Sequence, residues 1–206
     1  VRRAASIVML VTALSAPSGV QAGEEWSTRF ATTFQESCVP QRLSYEGTLA
    51  RAGEVGWEVF TPVEQSEFGT LMAKSEAALE EAKADMPGMS FRAQTFARDV
   101  EGRVLHLVVS LTVSEYLDAI GCYLYDFEAT EPVAAAAVSD ILGIKPAQSH
   151  SDEIVVSHLW GPPPSMPRTL DTYLTFIPPG SPYAEQAGFD GQMLKFSSSQ
   201  PREDEQ

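Results

Sequence analysis

Around residue 90 the apolar side chains stop recurring at three- to four-residue intervals and begin to alternate. A chain that makes this change must lay helices from its first part against a sheet drawn from the rest. Upstream, Trp26, Phe30, Phe34 and Cys38 fall four apart, one stripe of a helix from about Glu24 to Val39 that Pro40 ends. Ser44 is a fair N-cap for a short second helix, in which Tyr45, Leu49 and Ala52 share a face and Gly53 marks the stop. Gly56-Trp57 then opens an irregular link. A third helix is predicted from Pro62 or Glu64 to Ala84, with Phe68, Leu71, Met72, Ser75, Ala78, Leu79 and Ala82 on its apolar side.

Downstream, residues 91–100 and 103–113 flank Glu101-Gly102 and read as a β-hairpin. Leu105, Leu107, Val109 and Leu111 face one way along the second arm. A further strand starts near Ala119 and carries Cys122 beside Ile120 and Leu124. Thr130-Glu131-Pro132 reads as the opening of a helix that runs to Gly143. Strands at 153–160 and 169–178 follow, separated by GPPPSMPR, and QMLKFSS gives a last edge strand. The predicted architecture is α+β: three N-terminal helices, then a mainly antiparallel sheet of five to six strands, with one further helix between strands three and four. Two similar halves would fit this order, although no sequence repeat supports them. One domain is expected over 23–198, with an acidic disordered tail over 199–206.

The first 22 of the 206 residues stand apart. Arg2 and Arg3 precede an apolar run from Ala4 to about Ala16, and SGVQAG supplies small residues at Val20 and Ala22, the pattern of a secretory signal peptide cleaved after Ala22. Val1 beside Arg-Arg reads as a bacterial start at a GTG codon. A run this short falls below the roughly 20 residues that span a bilayer, so no membrane insertion is expected after cleavage. The leader holds two of the 14 basic residues and none of the 28 acidic ones, leaving a net charge of about −16 on the mature chain. Such a surface excludes nucleic acid as a natural partner and leaves a basic protein as the charge-compatible one.

Export also narrows the cysteines. A lipid anchor needs its cysteine directly after the cleavage site, where Gly23 stands. Two cysteines in an oxidising compartment most simply form one disulfide, Cys38 to Cys122. Closing a loop of about 85 residues stabilises a fold by roughly 4 kcal/mol in the chain-entropy account.

Chemistry-bearing motifs are sparse. His106 sits among aliphatics in a strand and reads as structural. His150, Asp152 and His158 are weak candidates for a metal site, since imidazole and carboxylate together suit zinc, but their spacing matches no helical HExxH and SHSDE is equally good loop composition. There is no GxSxG elbow, SxxK or glycine-rich phosphate loop. No catalytic residue and no cofactor is assigned. The most unusual composition is Trp160 followed by Gly161 and the prolines Pro162, Pro163 and Pro164, a candidate contact loop held extended by its prolines or else a stiff strand connection.

The run FATTFQESCVPQRLSYEGTLARAGEVGW, with Phe30, Phe34, Cys38, Gly56 and Trp57, resembles the start of small exported, uncharacterised bacterial proteins with an N-terminal helix, cysteine and Gly-Trp pattern. The resemblance implies export and an α+β fold and supplies no activity. The expected role is therefore a soluble, non-enzymatic binding or accessory protein of the cell envelope, periplasmic or secreted. The alternatives are a metal-dependent or other periplasmic hydrolase, and an acidic inhibitor or immunity-type protein.

Overall fold

Phe30, Phe34 and Cys38, the stripe expected on the first helix, are sealed from solvent in a computed structural model that describes residues 19–86, 88–115 and 117–201. Most of the expected leader lies outside the described residues. Its last four positions form the start of helix α1 (Gly19–Cys38). Helix α2 (Tyr45–Glu54) begins where Ser44 caps it, the Ser44 hydroxyl accepting from the Gly47 amide at 3.0 Å. Trp57 then turns inward and donates from Nε1 to Ser37 Oγ on α1 at 2.8 Å.

The strands that follow are β1 (Glu58–Val59), β2 (Ser90–Val100), β3 (Arg103–Val113), β4 (Leu117–Asp126), β5 (Gln148–Ser151), β6 (Val156–Trp160), β7 (Thr169–Ile177) and β8 (Gly191–Pro201). Helix α3 (Glu67–Asp85) lies between β1 and β2, α4 (Ala135–Leu142) between β4 and β5, and α5 (Tyr183–Ala187) between β7 and β8. All eight strands pair antiparallel in one sheet of order β1-β2-β3-β4-β8-β7-β6-β5. Two four-stranded meanders are thus laid side by side, joined where β4 meets β8. The β2–β3 hairpin turns at Glu101 and Gly102, with φ of 56° and 85°, the two positive values that a tight turn matching the twist of its strands requires.

The fold is α+β, but the expected layout of three N-terminal helices followed by five or six strands is overturned: the described residues form an eight-stranded antiparallel sheet with five helices. A strand, β1, separates the second helix from the third. It is two residues long and both are exposed, so no alternation could announce it. β5 is the polar run Gln148–Ser151, exposed at every position, and its sequence reads as loop. The last strand is not an edge. β8 lies in the middle of the sheet between β4 and β7, its run of serines pairing with Ile120, Gly121 and Ala119, and it takes in residues 199–201 of the expected tail. The fourth helix starts at Ala135 and not at Thr130-Pro132. The preceding amides are bound by distant side chains, Val133 N by Gln192 Oε1 at 2.9 Å and Ala134 N by Ser27 Oγ at 2.9 Å.

The two faces of the sheet are covered unequally. Helices α1, α2 and α4 bury one face, where Leu105, Leu107, Val109, Leu124, Leu194 and Phe196 form the main core. Phe34 meets Phe196 edge to face at 5.2 Å between centroids. Cys38 and Cys122 are bonded, with an S–S distance of 2.03 Å, and tie the end of α1 to β4. The opposite face carries α3 and α5 and a smaller cluster around Phe68, Leu71, Val108, Tyr125, Ile177 and Phe189. No helix among the described residues is long and apolar enough to cross a membrane.

Candidate functional site

Helix α3 is anchored through its first half, where Lys74 also donates from Nζ to the Glu185 carbonyl of α5. Ser66 caps it through the Gly69 amide at 3.0 Å. Gly69 is packed so closely that a Cβ there would meet the Val63 carbonyl oxygen at 2.0 Å. Phe68 and Leu71 are buried against the sheet. Phe68 stacks on Phe60 at 6.2 Å and meets His106 at 4.8 Å and Phe127 at 5.6 Å. Beyond Leu71 the same apolar stripe is not buried: Met72, Ser75 and Leu79 are half-buried and Ala78 is exposed. Two openings flank this part of the helix, and Met72, Leu79 and Phe91 line both.

The opening toward the centre of the sheet is a cleft of about 330 Å³ between α3 and strands β2, β3 and β4. This is the volume of a small-ligand site, mostly apolar with a few polar groups. Its helix wall is Leu71, Met72, Ala78 and Leu79, and its floor is Val108, Ser110, Thr112, Tyr123 and Tyr125. The register explains the floor. Val108 pairs with Tyr123, Ser110 with Gly121 and Thr112 with Ala119, so one face of two neighbouring strands presents all of them. Gly121 makes the arrangement sterically allowed: a Cβ there would lie 2.6 Å from Ser110 Oγ, 2.6 Å from Tyr123 Cε2 and 2.8 Å from the Tyr123 hydroxyl. The missing side chain lets the Tyr123 ring lie back along its own strand toward Ser110.

On the helix wall Ser75 Oγ donates to the Leu71 carbonyl at 2.9 Å, but the hydroxyls of the floor have no protein partner among the described residues. Ser110, Thr112, Tyr123 and Tyr125 make no hydrogen bond, although Ser110 and Tyr125 are buried. Burial, with Tyr123 as a lesser contributor, holds the Tyr125 phenol far above its ordinary pKa, so it remains a neutral donor at any physiological pH. None of these oxygens is among the sealed, partnerless polar atoms of the described residues, so they open onto the cleft, where water or a ligand can meet them.

Next to Tyr123 on the same face stands Lys195 of β8, its register partner. The ammonium lies 5.7 Å from the Tyr123 ring centroid and 5.0 Å from that of Tyr173 on β7. It makes no salt bridge or hydrogen bond, and burial alone pulls its pKa down.

The residues singled out from the sequence lie elsewhere. His150 and His158 do not converge: Ser149 is the register partner of His158 and Ser157 that of His150, so the two imidazoles leave opposite faces of the β5–β6 hairpin. Asp152 works as a turn residue. Its Oδ1 accepts from the amides of Ile154 and Val155, both at 2.9 Å, and its Oδ2 meets His150 Nε2 at 2.8 Å. Those backbone donors first, then His150, hold its carboxyl below the usual range. No cluster of three or more metal-ligating side chains occurs among the described residues. The candidate contact loop is also reoriented. Trp160 is fully buried and donates from Nε1 to Ser139 Oγ of α4 at 3.1 Å, while Pro163 and Met166 tuck under the loop, leaving Pro162 and Pro164 outside. The tryptophan is core, not surface.

Strand alternation sets Tyr123 and Tyr125 on one face of β4, opposite Cys122, but does not by itself mark a site. Two signals were present: a serine interrupting the run of valines and leucines in β3, and a glycine in the interior of β4. No family model matches the chain, and no curated protein and no solved structure matches it.

Proposed function

We propose that this is an exported binding protein that takes a small, largely apolar molecule into the cleft between α3 and the sheet. The observation that carries the reading is the set of unpaired hydroxyls from Ser110, Thr112, Tyr123 and Tyr125 converging on an apolar cleft of about 330 Å³. The leader-like N-terminus and the Cys38–Cys122 bond support an oxidising compartment outside the cytoplasm. The helix wall supplies apolar area and the floor supplies hydrogen bonds, so the ligand is flat or chain-like with at least one oxygen or nitrogen atom.

The test is titration with a neutral environment-sensitive fluorophore such as 1-aminoanthracene. The expected result is saturable binding by the disulfide-bonded protein and a loss of at least about tenfold in affinity for Ala78→Phe, which fills the cleft from an exposed position at an unchanged melting temperature. Absence of saturable binding, or equal binding by the variant, would overturn the reading.

A further inference from the structure

Lys195 is an unusual residue for a sheet face. Lys195 is half-buried, and an ammonium drawn partly out of water usually has an acid beside it, because the lost hydration costs free energy that a partner offsets. Here two tyrosine faces at 5.0 and 5.7 Å stand where the acid would, and the ammonium's N–H donors have no protein partner and stay open to solvent or a ligand. Tyrosine faces hold a cation more weakly than a charge-assisted hydrogen bond network would. No carboxylate contributes to the shift of its pKa, whose only cause is burial.

The position relates Lys195 to the cleft. Val108, Tyr123, Lys195 and Tyr173 form one row across β3, β4, β8 and β7, all on the face that α3 covers in part. Tyr123 belongs to both features: it floors the cleft and flanks the ammonium. Adjacent strands are about 4.8 Å apart, so Lys195 leaves the sheet about 10 Å from Val108. A molecule lying along this row passes from apolar walls, over a tyrosine edge, to a single positive charge.

We propose that Lys195 is the anion-binding end of the site and that the ligand is an amphiphile: a carboxylate held by Lys195 and an apolar tail lodged under α3. This deepens the cleft reading and rests on it. A single ammonium matches a singly charged carboxylate. The protein's overall acidity does not oppose it at short range, since at physiological ionic strength exposed charges are screened beyond about 8 Å. The ring faces of Tyr123 and Tyr173 exclude water from one side of the ion pair, which strengthens it.

Competition against bound 1-aminoanthracene separates the two claims. With the disulfide-bonded protein, decanoate is expected to bind at least about tenfold more tightly than decanol. Lys195→Met, which keeps the length and bulk of the stem, should remove that preference while leaving fluorophore affinity unchanged, and Lys195→Arg should restore it. Equal binding of decanoate and decanol, or a preference that survives in Lys195→Met, would overturn the carboxylate site with the cleft intact. Tighter binding of decyl phosphate than of decanoate would overturn the carboxylate class. Failure of the fluorophore itself to bind would overturn the cleft reading beneath both.

Discussion

His106 shows how one side chain reports on the docking of a helix. It pairs with Ala97 and Tyr125 across the sheet and sits among Phe60, Phe68 and Phe127, all within 5.3 Å between centroids, with Nδ1 buried and unpaired. Burial lowers its pKa, against a smaller opposing pull from Glu128. A histidine held neutral in the folded state binds fewer protons there than in the unfolded chain, so its contribution to stability is present above about pH 6.5 and is lost as pH falls through the folded value. His158, lowered by burial too, acts in the same sense, and Glu67, raised by burial, in the opposite one. The difference between proteins is therefore the readout. Melting temperatures measured from about pH 7 down to about pH 5 should fall less steeply for His106→Leu than for the wild type. Parallel curves would show that His106 is not buried against α3.

The proline loop and the edge strands show what periodicity can and cannot announce. The alternation in β3 and the stripe of α1 were legible because each buries a full face: Leu105, Leu107 and Val109 reach the core together, as do Phe30 and Phe34. β1 and β5 bury nothing, so their pairing is backbone hydrogen bonding that no side-chain pattern records. β8 was legible as a strand but not as a central one, since Ser197, Ser198 and Ser199 read as polar surface although Ser198 is buried beside Thr169, their hydroxyls 3.3 Å apart. In the same way Trp160 looked like a contact residue beside exposed prolines, whereas strand alternation directs it to α4. Chemical denaturation should show Trp160→Ala costing about 3–5 kcal/mol. Pro162→Ala and Pro164→Ala should each cost under about 1 kcal/mol. The reverse order would mean that the tryptophan lies outside the core.

The described residues are asymmetric about the sheet: one face carries three helices, the main core and the disulfide, and the other the short α5 and α3, which is held by its first half. The apolar stripe of α3 is weaker than that of α1, and only the tertiary structure shows that its part beyond Leu71 covers an opening. The disulfide belongs to the well-packed side. Replacing both Cys38 and Cys122 by alanine should lower unfolding free energy by roughly 4 kcal/mol while leaving fluorophore affinity unchanged in protein that remains folded. A loss of binding at full folding would tie the site to the wrong face. A ligand cleft under α3 is tested by following backbone amide chemical shifts of the isotope-labelled, disulfide-bonded protein during titration with 1-aminoanthracene. Saturable shifts are expected to concentrate at Leu71 to Leu79 of α3 and at Val108 to Thr112 and Gly121 to Tyr125 of the sheet, with α1, α2 and α4 unmoved. Shifts centred on the α1 and α4 face, or none at saturating fluorophore, would contradict it.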